Sequence, residues 1–147
     1  MAEMAAPKLT RKALIELLHA EFPEMSHAMS GYAIDEVWLG GCRLRLPFSE
    51  KSLRPGGTLS GATMMALADF AMYIAVLSAI GWVPLAVTTN LTINFLKKPA
   101  ARDLLAEARL IKLGKRLAVG EVALRSDGED ALVAHVTSTY SIPSQNG

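Results

Sequence analysis

ATMMALADFAMYIAVLSAI, residues 62–80, decides the architecture. Its nineteen side chains include one formal charge, Asp69, and neither Pro nor Gly. A run that is apolar on every side is what a protein core encloses. Its length would also suit a bilayer. Against that, Asp69 falls a third of the way in, Gly81 and Pro84 end the run, and the chain beyond alternates like a strand. The stretch therefore reads as the central helix of a soluble domain. A carboxylate surrounded by carbon is costly to bury without partners, so Asp69 is the first candidate for chemistry.

Working outward, Ser60 is placed to cap this helix and Gly81 to stop it, after a loop over 49–59 rich in Pro, Gly and Ser. Downstream the period changes to two. Val87, Leu91, Ile93 and Phe95 are expected on one face of a long strand, and Thr88, Asn90, Thr92 and Asn94 on the other. Three further strands, 103–113, 115–125 and 131–142, are separated by turns at Gly114 and at Asp127-Gly128. Upstream, 32–39 and 42–46 form a hairpin through Gly40-Gly41 whose wet face carries Arg43 and Arg45. Thr10 caps a first helix, about 10–22, with Leu14, Leu17, Leu18 and Phe22 on one stripe, ending before Pro23. The predicted fold is α+β: a curled antiparallel sheet wrapped around one long helix, with an extra N-terminal helix. Residues 1–147 read as a single domain with its core over about 32–143.

Composition narrows the function. The chain has 147 residues, 51% hydrophobic and 20% charged, with a formal net charge of +1. No basic excess invites nucleic acid or an anionic membrane, and neither is expected as a partner. One cysteine, Cys42, rules out an internal disulfide and reads as a packing residue. MAEMAAPKLTRKAL has no continuous apolar core of the secretory kind, which points to the cytoplasm. The three histidines and Cys42 lack metal-ligand spacing, so neither metal nor cofactor is expected. Residues 56–63 have the glycine spacing of a nucleotide phosphate loop, but Ala62 stands where that loop needs Lys, and no nucleotidase is predicted.

At the start of the central helix, free N–H groups and the positive end of the helix dipole can stabilise a developing oxyanion. Gly61 stands there and lets a carbonyl approach the backbone closely. Ser60 reads as the cap; a serine nucleophile would need a base, and His19, His27 and His135 are not spaced to supply one.

The runs GGTLSGATMMALAD, VTTNLTINFLKKP, DLLAEARLIKLGKRLAVGEVAL and ALVAHVTSTYSIP resemble the hotdog-fold acyl-CoA thioesterases of the phenylacetate-degradation type, over roughly 32–143. The resemblance implies hydrolysis of an acyl- or aryl-acyl-CoA, with coenzyme A present only as part of the substrate. It makes Asp69 the general base or nucleophile, the Gly61 N–H the oxyanion donor, and Thr88 the hydroxyl that orients acid or water. It also implies homodimers, often paired into tetramers, in which Asp69 and Thr88 of one subunit work with Ser60 and Gly61 of its neighbour. Ser60 stands where many members have His, and Arg54 where some have Asn. Candidate substrate contacts are Ala62, Met65, Tyr73 and Asn90 along the helix and strand. Arg54 is a candidate for a coenzyme A phosphate, a substrate carboxylate or a surface acid, and Lys97, Lys98, Arg102, Lys115 and Arg116, at the ends of the later strands, are candidates for the phosphates of coenzyme A. The rival readings are a non-catalytic acyl-CoA-binding module and a hydratase or dehydratase, the last normally wanting a His in the site.

Overall fold

The computed structural model describes residues 4–50 and 59–144. Arg54 therefore lies outside the described residues. Helices α1 (Arg11–Glu21) and α2 (Pro23–Ala28) lead into strands β1 (Ala33–Trp38) and β2 (Gly41–Leu46). Helix α3 (Gly61–Ile80) follows, then β3 (Val87–Phe95), β4 (Leu104–Leu113), β5 (Leu117–Ser126) and β6 (Leu132–Ser141). The strands form one antiparallel sheet in the order β1-β2-β4-β5-β6-β3. This is the hotdog fold, as the sequence predicts.

Helix α3 is enclosed because its sequence leaves it no wet face. Every residue from Ala71 to Ala79 is buried, and Leu67, Met72, Ile74 and Leu77 are wholly so. Opposite them the sheet presents small side chains, Ala106, Ala108 and Ala118, and at the closest approach none at all: a Cβ on Gly120 would lie 2.7 Å from Cε and Sδ of Met72. The span-length apolar helix is thus a core helix. Ser60 Oγ accepts the Thr63 N–H at 3.1 Å at one end. At the other, Gly81 adopts φ +92°, which favours glycine, and its N–H reaches Leu77 O at 2.9 Å. Buried Ser78 donates to Ala75 O at 2.6 Å and accepts the Gly40 N–H at 2.9 Å, tying the β1–β2 turn to the helix end.

On the outer face of the sheet Arg45 gathers Asp35, Asp103 and Asp127 at 3.0, 3.0 and 2.8 Å, fastening β1 to β4 and to the β5–β6 turn. The wet face expected for Arg43 and Arg45 is this ion network.

Two expectations need correction. The chain does leave α1 before Pro23, held by Thr10 as cap. Pro23 then opens α2, because a proline at the first helical position gives up an N–H that would have had no partner. In β3 the strict alternation fails. Thr88 pairs with Tyr140 and Asn90 with Thr139, so Thr89 is an extra residue, a β-bulge. The bulge reverses the phase: Thr88 faces the helix together with Leu91 and Ile93, and Val87 faces out, 56% exposed.

Candidate active site

Asp69 lies two turns into α3, directed at the junction of β3 and β6. The bulge turns Thr88 inward, and its hydroxyl donates to Asp69 Oδ1 at 2.7 Å. Tyr140, the cross-strand partner of Thr88, donates its phenol to the same Oδ1 at 2.9 Å, sharing the proton with the main-chain oxygen of Asp69 at 3.0 Å. Both side-chain hydrogen bonds converge on Oδ1, and Asp69 lines a cleft. Burial first, and then the Asp69 carboxylate, push the Tyr140 phenol well above its ordinary pKa, so it remains a donor at any physiological pH. Tyr140 stands beside Tyr73, ring centroids 6.2 Å apart. Burial pushes Tyr73 up to about 12, and its hydroxyl donates to Pro84 O at 2.9 Å.

The cleft at Asp69 is about 300 Å³ in volume, walled by Phe70, Tyr73, Thr88 and Tyr140, with Phe22 and Met25 of the α1–α2 elbow on its other side. Tyr140 is the functional residue that sequence reasoning missed. Its signal was faint: the inward phase of β6, carried by Ala134, Val136, Ser138 and Tyr140, puts a phenol rather than a methyl at the position opposite Asp69.

The second cluster lies at the α3 N-terminus. With Ser60 Oγ on the Thr63 N–H and Ser60 O on the Met64 N–H, the N–H groups of Gly61 and Ala62 have no acceptor among the described residues. Gly61 lines a second cleft of about 560 Å³, together with Met64, Phe95, Lys97 and Lys98. Gly61 has a packing reason to lack a side chain, since a Cβ there would lie 3.0 Å from Cζ of Phe95. Lys97 pairs with Glu129 at 3.1 Å. Ser60 is engaged as a cap.

The structure brings Asp69, Thr88 and Tyr73 together in one cleft, and Gly61, Lys97 and Lys98 in the other. Eight residues of helix separate Gly61 from Asp69, about 12 Å along the axis. Ala62 and Met65 are exposed on the first turns of α3. Asn90 follows the bulge onto the outer face, opposite Thr139. Arg116 sits in the β4–β5 hairpin beside Ile142, at the far end of β6 from Lys97. His135 pairs with Glu121 at 3.1 Å on the outer face, and neither it nor His19 nor His27 lines either cleft. The Cys42 thiol is buried against Ala71 O at 3.1 Å, with its pKa raised by that burial.

The Thioesterase superfamily model matches residues 56–133, a span that holds Gly61, Asp69 and Thr88. The chain belongs to the thioesterase superfamily. A protein of Saccharolobus solfataricus named as an esterase is 34% identical over 112 residues, 76% of this chain and 73% of its own length. A crystal structure named as a thioesterase, from Silicibacter sp. TM1040, is 44% identical, covers 97% of both chains and superposes with a TM-score of 0.83. A mutant of the phenylacetic acid degradation protein PaaI from Thermus thermophilus is 26% identical over 82% of this chain and 99% of that one, TM-score 0.69. Membership and the names of these relatives support a hydrolase of the thioesterase kind. Within the superfamily match lie both helix positions, Gly61 and Asp69; Phe22, Met25 and Tyr140 lie outside it.

Proposed function

We propose that this thioesterase hydrolyses an acyl- or aryl-acyl-CoA to the free acid and coenzyme A, with Asp69 as general base. The observation that carries the reading is the Asp69 carboxylate, fixed through Oδ1 by Thr88 and Tyr140 in the wall of a cleft, which leaves Oδ2 for a water. A water on Oδ2 gives up a proton as its oxygen attacks the thioester carbonyl carbon. The carbonyl oxygen becomes an oxyanion met by the Gly61 N–H and the positive end of α3. Collapse breaks the C–S bond, and the departing thiolate recovers the proton. No cofactor beyond the coenzyme A of the substrate enters this scheme. A soluble, cytoplasmic enzyme fits a chain in which the one span-length helix among the described residues is enclosed by its own sheet.

The Gly61-to-Asp69 separation supports a site completed by a second copy, Gly61 of one subunit facing Asp69 of the other. The two edges of the sheet differ in a way that supports the same reading. β1 carries Asp35 and Glu36, whereas the nine residues of β3 hold no charge and leave Phe95 51% exposed. A long edge strand without formal charge is open to pairing with another strand. The proposed unit is a homodimer joined along β3, able to pair again into a tetramer. Lys97 and Lys98, at the mouth of the Gly61 cleft, are the cations best placed for the phosphates of coenzyme A.

Release of coenzyme A thiol from short, medium, long and aryl acyl-CoA esters tests the reading, with Asp69→Asn alongside. General-base assistance is worth about 10²- to 10⁴-fold, so turnover should fall by that factor. Tight acyl-CoA binding without turnover, indifferent to Asp69→Asn, would instead identify a binding module.

A further inference from the structure

We propose that the cleft between α1, α2 and β1 is a second ligand site, separate from the Asp69 cleft, and that it takes an amphipathic carboxylate: an organic acid with an alkyl or aryl body. Its volume is about 410 Å³, and it shares no wall residue with the Asp69 cleft. It borders β1, the edge of the sheet opposite β3, and so lies away from a dimer joined along β3.

The hydrocarbon half of the site is built on one helix face. Arg11, Ile15 and Leu18 recur at i, i+4 and i+7, which stacks them on the side of α1 turned to the cleft. Leu18, Met29 and Ile34 give it a buried apolar floor. Ile15, 41% exposed, carries that surface out to the lip. An alkyl or aryl body laid there removes apolar surface from water on both sides of the contact.

The polar half is one cation and three hydroxyls. Arg11 Nε donates to Ile34 O, which ties the guanidinium to β1 beside the cleft. Its terminal nitrogens have no partner among the described residues, and neither do the hydroxyls of Ser26, Ser30 and Tyr32 in the same wall. Burial raises the pKa of the Tyr32 phenol, so it is a donor at neutral pH. No acid lines the cleft, and Asp35 and Glu36, the next residues of β1, are paired with Arg43 and Arg45. A guanidinium with both terminal nitrogens free receives a carboxylate through paired, charge-assisted hydrogen bonds. An ammonium group would meet the Arg11 charge instead, and an alcohol or amide would forgo the charge-assisted bonds. Only an anion with a hydrocarbon body uses both halves.

The acid released by a thioesterase is one member of this class. Helix α2 borders both clefts, with Met25 in the wall at Asp69 and Ser26 in this one, and the rings of Tyr32 and Phe70, one from each wall, lie 5.4 Å apart. The bound acid would sit next to the reacting site without entering it.

Backbone amide NMR titration of the full chain with octanoate and with its neutral counterpart octanamide tests the assignment without turnover, because the shifted residues report where the ligand lies. Octanoate should shift Ile15, Ser30 and Ile34 saturably and bind at least about tenfold tighter than octanamide, the worth of a hydrogen bond to a charged group. Arg11→Gln should remove that preference. Ile15→Glu, which sets an acid at the lip and leaves the Arg11 tie to β1 in place, should weaken octanoate by a similar factor. Equal affinity for acid and amide, octanoate binding that survives Ile15→Glu in folded protein, shifts centred on Asp69, Thr88 and Tyr140 instead, or no saturable shift would each overturn the proposal. The result stands apart from the thioesterase reading, which release of coenzyme A thiol tests by itself.

Discussion

Thr88 and Tyr140 face each other across the β3–β6 ladder, and their hydroxyls end on the same oxygen of Asp69, at 2.7 and 2.9 Å. A carboxylate gripped on one oxygen by two donors keeps a fixed rotamer and offers its second oxygen in a fixed direction. Three elements separated in sequence meet there. The bulge at Thr89 is the device that brings them together, since a regular strand would turn Thr88 away from the helix.

Removing either donor is therefore expected to slow chemistry more than binding. A hydrogen bond to a charged group is worth about 1.5–3 kcal/mol, which is roughly 10- to 100-fold. Thr88→Val and Tyr140→Phe should each lower kcat by that factor with KM within about twofold. Because they share one acceptor, the double variant should fall short of the product of the two. Steady-state kinetics on the best ester checks this, and a change confined to KM would contradict it.

How much of this was legible beforehand depended on whether the pattern was local. The α3 helix announced itself through a single acid in nineteen residues, and its cap and stop sit beside it in sequence, so Ser60, Gly61, Asp69 and Gly81 could be read directly. The bulge could not, because nothing in VTTNLTINF distinguishes an extra residue from a regular alternation; the register is set by β6, fifty residues away. Tyr140 was lost for the same reason, its role being visible only once β6 lies over the second turn of α3. Helix α2 was hidden by Pro23, which ends one helix and begins another.

Gly120 should tolerate no side chain. Its Cβ would lie 2.7 Å from the Met72 thioether and 2.8 Å from Arg109 O, and the second of these is backbone that cannot swing aside. Overpacking of this kind costs about 1–3 kcal/mol. Gly120→Ala is expected to lower the urea midpoint accordingly with an unchanged m-value; wild-type stability would show that α3 can lift from the sheet freely.

Alkaline pH should destabilise the fold through its tyrosines. All three phenols, Tyr32, Tyr73 and Tyr140, have raised pKa values, with burial the first cause in each case. In the unfolded chain they ionise near 10. The native state holds its protons to higher pH, so this contribution is fully present below about 10 and is lost as pH climbs through 10 toward 12 and beyond. Absorbance at the phenolate band should therefore rise only together with loss of the far-ultraviolet circular dichroism signal, and Tyr73→Phe should flatten the fall of Tm with pH. A tyrosine titrating near 10 in folded protein would contradict the burial assigned here.

Charging the β3 edge tests whether one chain suffices. Asn90 and Thr92 are exposed on a strand without formal charge, and Asn90→Lys with Thr92→Lys would set like charges against each other wherever two copies meet along that edge. Neither side chain touches Asp69, so a direct effect on chemistry is not expected. Light scattering should show the variant shifted to monomer, circular dichroism should show it folded, and turnover should fall with the dimer fraction as the protein is diluted. The reason is geometric: the backbones of Gly61 and Asp69 lie about 12 Å apart along α3, so in the proposed site the oxyanion donor and the base at one carbonyl come from two subunits. Folded monomers with undiminished turnover would require the oxyanion donor to come from elsewhere in the same chain, and Gly61 would lose its assigned role.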